Sequence, residues 1–450
     1  MKRARVPDWV WMVLVLTHLL ALTWALRSGH WSFPDSDRYR VAAVNVVQYG
    51  QLYARKWPGG FPLGQAVQEF TIRPPGYPVV LAALGKAAFP WLVLLVQNVL
   101  SLSALGAVLT WWARRVEPST RHWLGALAFV LTFPAQIIYA NAVMSEAFLQ
   151  ALLVILVATI AAFYRTGRLR DWVGVAGAVT LALLLKPVCC LLAVGVGGAG
   201  LVLGWQRRQP GLLSIGMIPL VVMGAYMAWN QQRTGYFHFS SITEINLLHY
   251  NAAGVVRQTE GPAAEEAWVA QVLRLANAQN SFAARQQLIE QRAGTVLLAH
   301  PWVYAQQHAL GMAAFFLDPG RFDISRFLGL APLDGGGLLA QVRVGGLWRA
   351  VGRLPLGLLA ALLGVLIANI VRLALAMRGF RRLGRGTMGG GRTERWVAVG
   401  LLAYLALLTG PLGAARFLMP AWPLLLGLAL MGLRGPAVSP ATRAASDANA

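Results

Sequence analysis

The chain has 450 residues, of which 57% are hydrophobic and 12% charged, against about 25% charged in soluble domains. A chain this apolar cannot cover itself with water, which excludes a soluble globular enzyme. The formal charge of +22 sits in arginine clusters between apolar runs, so membrane topology accounts for it and no nucleic-acid partner is expected.

The N-terminal Lys2-Arg3-Ala4-Arg5 precedes an apolar run at 9–26 that exceeds the signal-peptide core of about 7 to 15 residues, so it reads as a retained first helix. Further runs of about the 17 to 25 residues that cross a hydrocarbon core fall at 91–113, 121–139, 142–163, 172–187, 188–205, 211–229, 354–376, 396–413 and 417–433. Only helices and closed barrels satisfy the backbone in lipid, and these runs are helix-sized, so the expected fold is an all-α polytopic bundle of about ten transmembrane helices. Arg114, Arg115 and Arg121, then Arg165, Arg168 and Arg170, then Arg207 and Arg208, and finally the run from Arg378 to Arg395 follow alternate spans. By the positive-inside bias these ends, and both termini, are cytoplasmic. That assignment requires the short apolar segment 76–89, interrupted by Lys86, to be interfacial or re-entrant.

Two large segments, 27–90 and 230–353, then lie outside the cytoplasm. Within the second, 263–291 reads as amphipathic helix and 300–317 as a helix lying in the interface. Residues 1–433 form one membrane domain, and the Pro-, Ala- and Ser-rich tail 434–450 reads as disordered. Cys189 and Cys190 are adjacent inside an apolar run, which suits neither a disulfide framework nor a spaced metal site.

Several polar residues interrupt this pattern. Phe33-Pro34-Asp35-Ser36-Asp37-Arg38-Tyr39 follows the first span, and if 37–49 is helical Asp35 stands at its N-terminal end, where a carboxylate can simply cap. In Arg73-Pro74-Pro75-Gly76-Tyr77-Pro78 the prolines hold one arginine at the interface; such an arginine snorkels or grips a phosphate. Met144-Ser145-Glu146 puts an acid in an otherwise apolar helix, which is costly and points either to function or to a bond with a neighbouring helix. Lys186-Pro187 and Ala415-Arg416-Phe417 stand at helix ends. The arginine-derived topology places Asp35, Asp37, Arg73, Glu146, Lys186 and Arg416 on one face. His238, His249, His300 and His308 lack close ligand spacing and read as surface or packing residues.

At these residues the chain resembles the GT-C superfamily of membrane glycosyltransferases, which includes dolichyl-phosphate-mannose protein mannosyltransferases and the bacterial lipid A aminoarabinose transferase. The resemblance covers most of the chain in outline. It implies a GT-C-like bundle in a plasma membrane, as in a bacterial inner membrane, with an extracytoplasmic site. There a sugar passes from a polyprenyl-phosphate donor to an acceptor glycan, lipid or protein. Asp35 matches the position of the family's catalytic base, with Ser36 separating it from the second acid Asp37, and Glu146 matches a further acidic residue. Arg73, with Tyr77 in the same motif, matches the segment that contacts the donor phosphate, and Lys186 and Arg416 match basic positions at helix ends. Asp35, Asp37 and Glu146 are also the candidates for holding a divalent Mg or Mn ion. No counterpart of the large soluble C-terminal domain of some members is expected, so acceptor recognition would fall to the loops. The alternatives are a polysaccharide polymerase and a lipid-linked sugar flippase or transporter.

Overall fold

The computed structural model describes residues 5–62, 64–84, 90–330, 352, 354–385 and 389–433. Among them the regular elements are all helical and no strand occurs, as a lipid-embedded backbone that must close its own hydrogen bonds requires. Among the described residues eight helices are long and apolar enough to cross a membrane, or nine if one bent pair is a single span. The chain is an integral membrane protein. Large side chains such as Met12, Leu16 and Leu20 stand exposed on the first helix, α1 (Asp8–Ser28), as lipid-facing positions do.

The elements that position the polar residues are α2 (Ser36–Tyr49), α3 (Gly76–Ala83), α4 (Trp91–Val116), α5 (Thr120–Leu131), α6 (Pro134–Ala140), α7 (Glu146–Thr166) and α8 (Leu169–Leu185). Two departures account for the difference between ten expected spans and eight or nine. The expected helix 121–139 breaks into α5 and α6, bent by 60°, because Pro134 lacks an N–H and forces Phe133 out of helical geometry. The second is α8, which has 17 residues, about 25 Å at 1.5 Å each, and ends at Lys186-Pro187. The expected helix 142–163 begins only at Glu146, after a run of bends. The amide of Gln97 in α4 supports that run, donating to the carbonyl of Ala142 at 2.7 Å.

The break also strands carbonyls at the end of α5, and a charge inside the bundle takes them up. Arg372, on the Leu356–Arg385 helix, donates from Nη1 to the Phe129 carbonyl at 2.8 Å and from Nη2 to the Thr132 carbonyl at 3.1 Å. Its guanidinium lies 4.9 Å from the Trp422 ring centroid. A cation at a helix C-terminus satisfies both the orphan acceptors and the dipole. Arg372→Met is therefore expected to destabilise the fold by about 1.5–3 kcal/mol, read as a lower thermal midpoint in detergent. An unchanged midpoint would mean that these carbonyls find other donors.

The last span, Ala415–Leu433, is 83% buried over its apolar window, against 28% for α1. It is the most deeply embedded of the eight spans, and Arg416 stands at its start. The two large segments pack on each other: Phe282 joins Tyr53, Val67 and Phe70 in a small satellite core. The expected helix 263–291 is two, Pro262–Asn277 and Phe282–Ala299. Its polar break ends at Ser281, whose hydroxyl accepts from the Ala284 amide at 3.1 Å as an N-cap. The expected helix 300–317 is Pro301–Leu317. Both cysteines are free. Residues 85–89, including Lys86, most of 331–353 and the tail 434–450 lie outside the described residues.

Candidate active site

Five of the six charged residues singled out above meet at one end of the bundle. Asp35 stands at the N-cap of α2, yet its side chain makes no capping bond. Instead its Oδ1 accepts from Arg73 Nη2 and its Oδ2 accepts from Arg416 Nη2 at 2.6 Å. Arg416 turns its Nε to Glu146 Oε1 at 2.8 Å, and Lys186 Nζ donates to the same oxygen at 2.9 Å. The result is a continuous chain, Arg73, Asp35, Arg416, Glu146, Lys186, with three cations to two anions.

Each member is fixed by local sequence. Pro74 and Pro75 set the backbone after Arg73, and its guanidinium lies 5.1 Å from the Tyr39 ring centroid, a cation–π arrangement. Gly76 lets α3 rest on the end of α8: a Cβ there would stand 2.7 Å from the Leu184 carbonyl oxygen. That close approach sets the Arg73 turn beside Lys186. Glu146 opens α7, Lys186 follows the last residue of α8, and Arg416 lies in the turn Ala415–Leu418 ahead of the helix Trp422–Leu433.

The chain is graded in depth. The Asp35 and Arg416 side chains are 21% exposed and that of Glu146 is 1% exposed, so a molecule arriving from solvent or the interface meets Asp35 and Arg416 first. Arg73 Nε, Ser145 Oγ and Glu146 Oε2 are buried and make no hydrogen bond. Orphaned polar atoms of this kind are rare in native folds and mark places where a ligand or water belongs. Burial opposes ionisation of Asp35, but the guanidinium groups of Arg416 and Arg73 outweigh it and hold the carboxyl well below the usual carboxylate range. In this state Asp35 is a counter-ion and a weak base.

Two residues expected at the site are elsewhere. Asp37 projects outward, its side chain 74% exposed and 3.5 Å from Arg40, because it stands two positions beyond Asp35 on α2 and so on another face. Tyr77 points inward: its hydroxyl donates to Gln97 Oε1 at 2.7 Å and its ring meets Tyr39 edge-on at 4.9 Å. It supports the ring beneath Arg73 and does not face the cationic edge. Asp35, Asp37 and Glu146 do not fit a divalent ion, which wants several oxygen ligands together. Both Asp35 oxygens and Glu146 Oε1 are taken by cations, Asp37 is remote, and among the described residues no group of three or more His, Cys, Asp or Glu could hold a metal.

A second layer was not legible among the candidates. Tyr139 of α6 donates from its hydroxyl to Asp323 Oδ1 at 2.7 Å, and its ring centroid lies 6.0 Å from the Arg416 guanidinium. Asp318 Oδ2 accepts from the Ala415 amide at 3.0 Å, next in sequence to Arg416, and so fixes the backbone from which that side chain departs. Burial pushes the Asp323 carboxyl up to about 7, with Asp318 adding to the rise and Tyr139 and Arg416 opposing it. The available signal was Asp318-Pro319-Gly320, directly after the apolar run 301–317, with a second acid, Asp323, three residues beyond it. His238 is buried, bonded through Nε2 to the Thr71 hydroxyl at 2.8 Å, and serves packing between the two large segments.

Fold and site together define an all-α integral membrane protein with a charged, partly buried cluster at one end of its spans. No family model matches the chain, and no curated protein or solved structure matches it either.

Proposed function

We propose that this protein is a membrane glycosyltransferase that moves a sugar from a polyprenyl-phosphate donor to an acceptor hydroxyl or amine on the extracytoplasmic side. The observation that carries the reading is the clamp of Arg73 and Arg416 on Asp35. Two fixed guanidinium groups holding one carboxylate, with Lys186 next in line, form a ready receptor for phosphate oxygens. Nucleotide sugars are a cytoplasmic pool, so a site on the other side needs a sugar activated on lipid. The arginine clusters at the opposite helix ends support that sidedness.

The chemistry follows from competition for the guanidinium groups. A donor phosphate that pairs with Arg73 and Arg416 displaces Asp35, whose carboxylate loses the charges that depress its basicity. Asp35 then accepts the acceptor's proton as the acceptor oxygen or nitrogen attacks the anomeric carbon from the face opposite the phosphate. The bond from that carbon to the phosphate oxygen breaks, its electron pair leaves with polyprenyl phosphate, and the anomeric configuration inverts. Arg73, Arg416 and Lys186 stabilise the charge that grows on the leaving group. Glu146, buried and shared by Lys186 and Arg416, positions both cations.

Asp323 gives the site a pH dependence. Below about pH 7 its carboxyl is neutral; above it, an added negative charge near Arg416 lowers the positive potential that attracts phosphate. Donor KM is expected to rise as pH passes through this range, and Asp323→Asn is expected to flatten the profile. A profile identical to wild type in folded Asp323→Asn would remove Asp323 from the site.

A lipid-linked sugar transporter is the second reading, favoured by the broken pair α5 and α6 and by the buried amides Gln97, Asn98, Gln136 and Gln150 inside the bundle, since transporters use discontinuous helices near the midplane. Incubation of purified protein with a panel of polyprenyl-phosphate sugars and acceptors separates the two. The transferase reading expects free polyprenyl phosphate and a glycosylated acceptor. Passage of the intact lipid-linked sugar across a vesicle membrane with no cleavage would replace it with the transporter.

A further inference from the structure

The opposite end of the bundle holds a second charged site that the transfer reaction does not use. The 21 residues of α7 run about 30 Å, the thickness of a hydrocarbon core, from Glu146 in the first cluster to Arg165 in the last turn. Arg165 lies beside Arg114 and Arg115, in the last turn of α4, around an open cavity of about 560 Å³. One acid organises them. Glu394 Oε2 accepts from Arg115 Nη2 at 2.7 Å and from Trp111 Nε1 at 2.9 Å, and Glu394 Oε1 lies 3.8 Å from Arg165. Arg115 also stacks over the Trp111 ring at 4.4 Å. Arg114 is exposed and has no ion-pair partner among the described residues.

Three arginines answer to one glutamate here, so the cavity keeps excess positive charge, pre-organised by Glu394 and Trp111. Its remaining wall is of another kind. Ser103, Gly106, Ala107 and Thr110 of α4 line it with Ala158 and Ala161 of α7, small residues that leave a groove between two spans, and Trp11 of α1 leans into it over Gly106. A Cβ on Gly106 would meet the Trp11 ring at 2.3 Å, so a glycine is what lets that ring lie there. A cationic mouth at a helix-end interface, continuous with an open groove of small side chains along the same helices, matches a molecule with an anionic head and a hydrocarbon chain. A free anion would use the mouth and leave the groove without purpose.

We propose that this cavity binds an anionic phospholipid of the surrounding bilayer, the headgroup phosphate against Arg114, Arg115 and Arg165 and one acyl chain along the groove between α4 and α7. Basic pockets between spans hold such headgroups elsewhere by the same physics. The site joins α1, α4, α7 and the Gly389–Thr409 helix, so an occupied cavity links four segments at the end remote from the reactive cluster.

The test uses the full-length protein, delipidated in detergent and titrated with phosphatidylglycerol or phosphatidylcholine, with bound lipid counted by native mass spectrometry. Phosphatidylglycerol is expected to bind about tenfold or more tightly than phosphatidylcholine. The doubly substituted Arg114→Ala, Arg165→Ala protein, altered at two exposed positions, is expected to lose that preference. Ala107→Phe, at an exposed position that fills the groove and leaves every charge in place, is expected to lower affinity for phosphatidylglycerol. Inorganic phosphate at millimolar concentration should not displace the lipid. Equal binding of the two lipids would overturn the proposal. So would full displacement by inorganic phosphate with Ala107→Phe unchanged, which would identify a small-anion site only. Neither result depends on whether the protein transfers sugar.

Discussion

Asp35→Asn is expected to lower turnover by about 10² or more, the loss that follows removal of a general base, in protein that remains folded. The asparagine keeps the size and one hydrogen-bond acceptor, so the turn from Phe33 to Ser36 survives: it is held by the Ser36 hydroxyl, which accepts from the Phe33 amide at 2.9 Å. What disappears is the negative charge between two guanidinium groups. Donor binding should therefore hold or improve, because phosphate no longer competes with a carboxylate for Arg73 and Arg416, while kcat collapses. That split separates a base from a structural counter-ion, whose loss would raise KM or unfold the protein. Asp37→Asn is the control, since Asp37 projects outward and pairs with Arg40; its turnover should be close to wild type.

Arg416→Lys is expected to reduce kcat/KM by about 10² to 10³, although the charge is retained. Arg416 bridges two carboxylates with different nitrogens, Nη2 to Asp35 and Nε to Glu146, and a lysine ammonium cannot reproduce that planar fork. Arg73→Lys should cost less, because Arg73 touches one carboxylate and Tyr39 supports it from below. The loss in both variants belongs to donor use, with acceptor affinity unchanged. Normal donor KM and kcat in folded Arg416→Lys would show that Arg416 only joins Asp35 to Glu146 and that the phosphate is held elsewhere.

Much of this site was legible in the sequence for one physical reason: charge at the edge of a long apolar run is costly and therefore conspicuous. Asp35, Arg73, Glu146, Lys186 and Arg416 are spread over nearly the whole chain, yet the arginine clusters alone put them at the same helix ends. Orientation was less legible. Spacing could not say that Asp37 turns outward or that the Tyr77 hydroxyl goes down to Gln97, because both depend on how α2 and α3 rotate against their neighbours. Asp318 and Asp323 were hidden for the opposite reason. They lie in a segment polar enough that two more acids carry no surprise, and only the fold brings them against Tyr139 and the Ala415 amide. Arg372 was concealed inside a span whose hydropathy tolerates one charge, and the feature that explains it, the break before Pro134, lies about 240 residues away in sequence.

The central claim is that Arg73 and Arg416 exchange Asp35 for the phosphate of a polyprenyl phosphate, and the most direct measurement is an experimental structure of the protein with that product bound. The account predicts phosphate oxygens within hydrogen-bond reach of both guanidinium groups, the Asp35 carboxylate released from at least one of them, and the phosphate oxygen that carried the sugar facing Asp35. A bound phosphate remote from Arg73 and Arg416, with the Asp35 clamp intact, would contradict it.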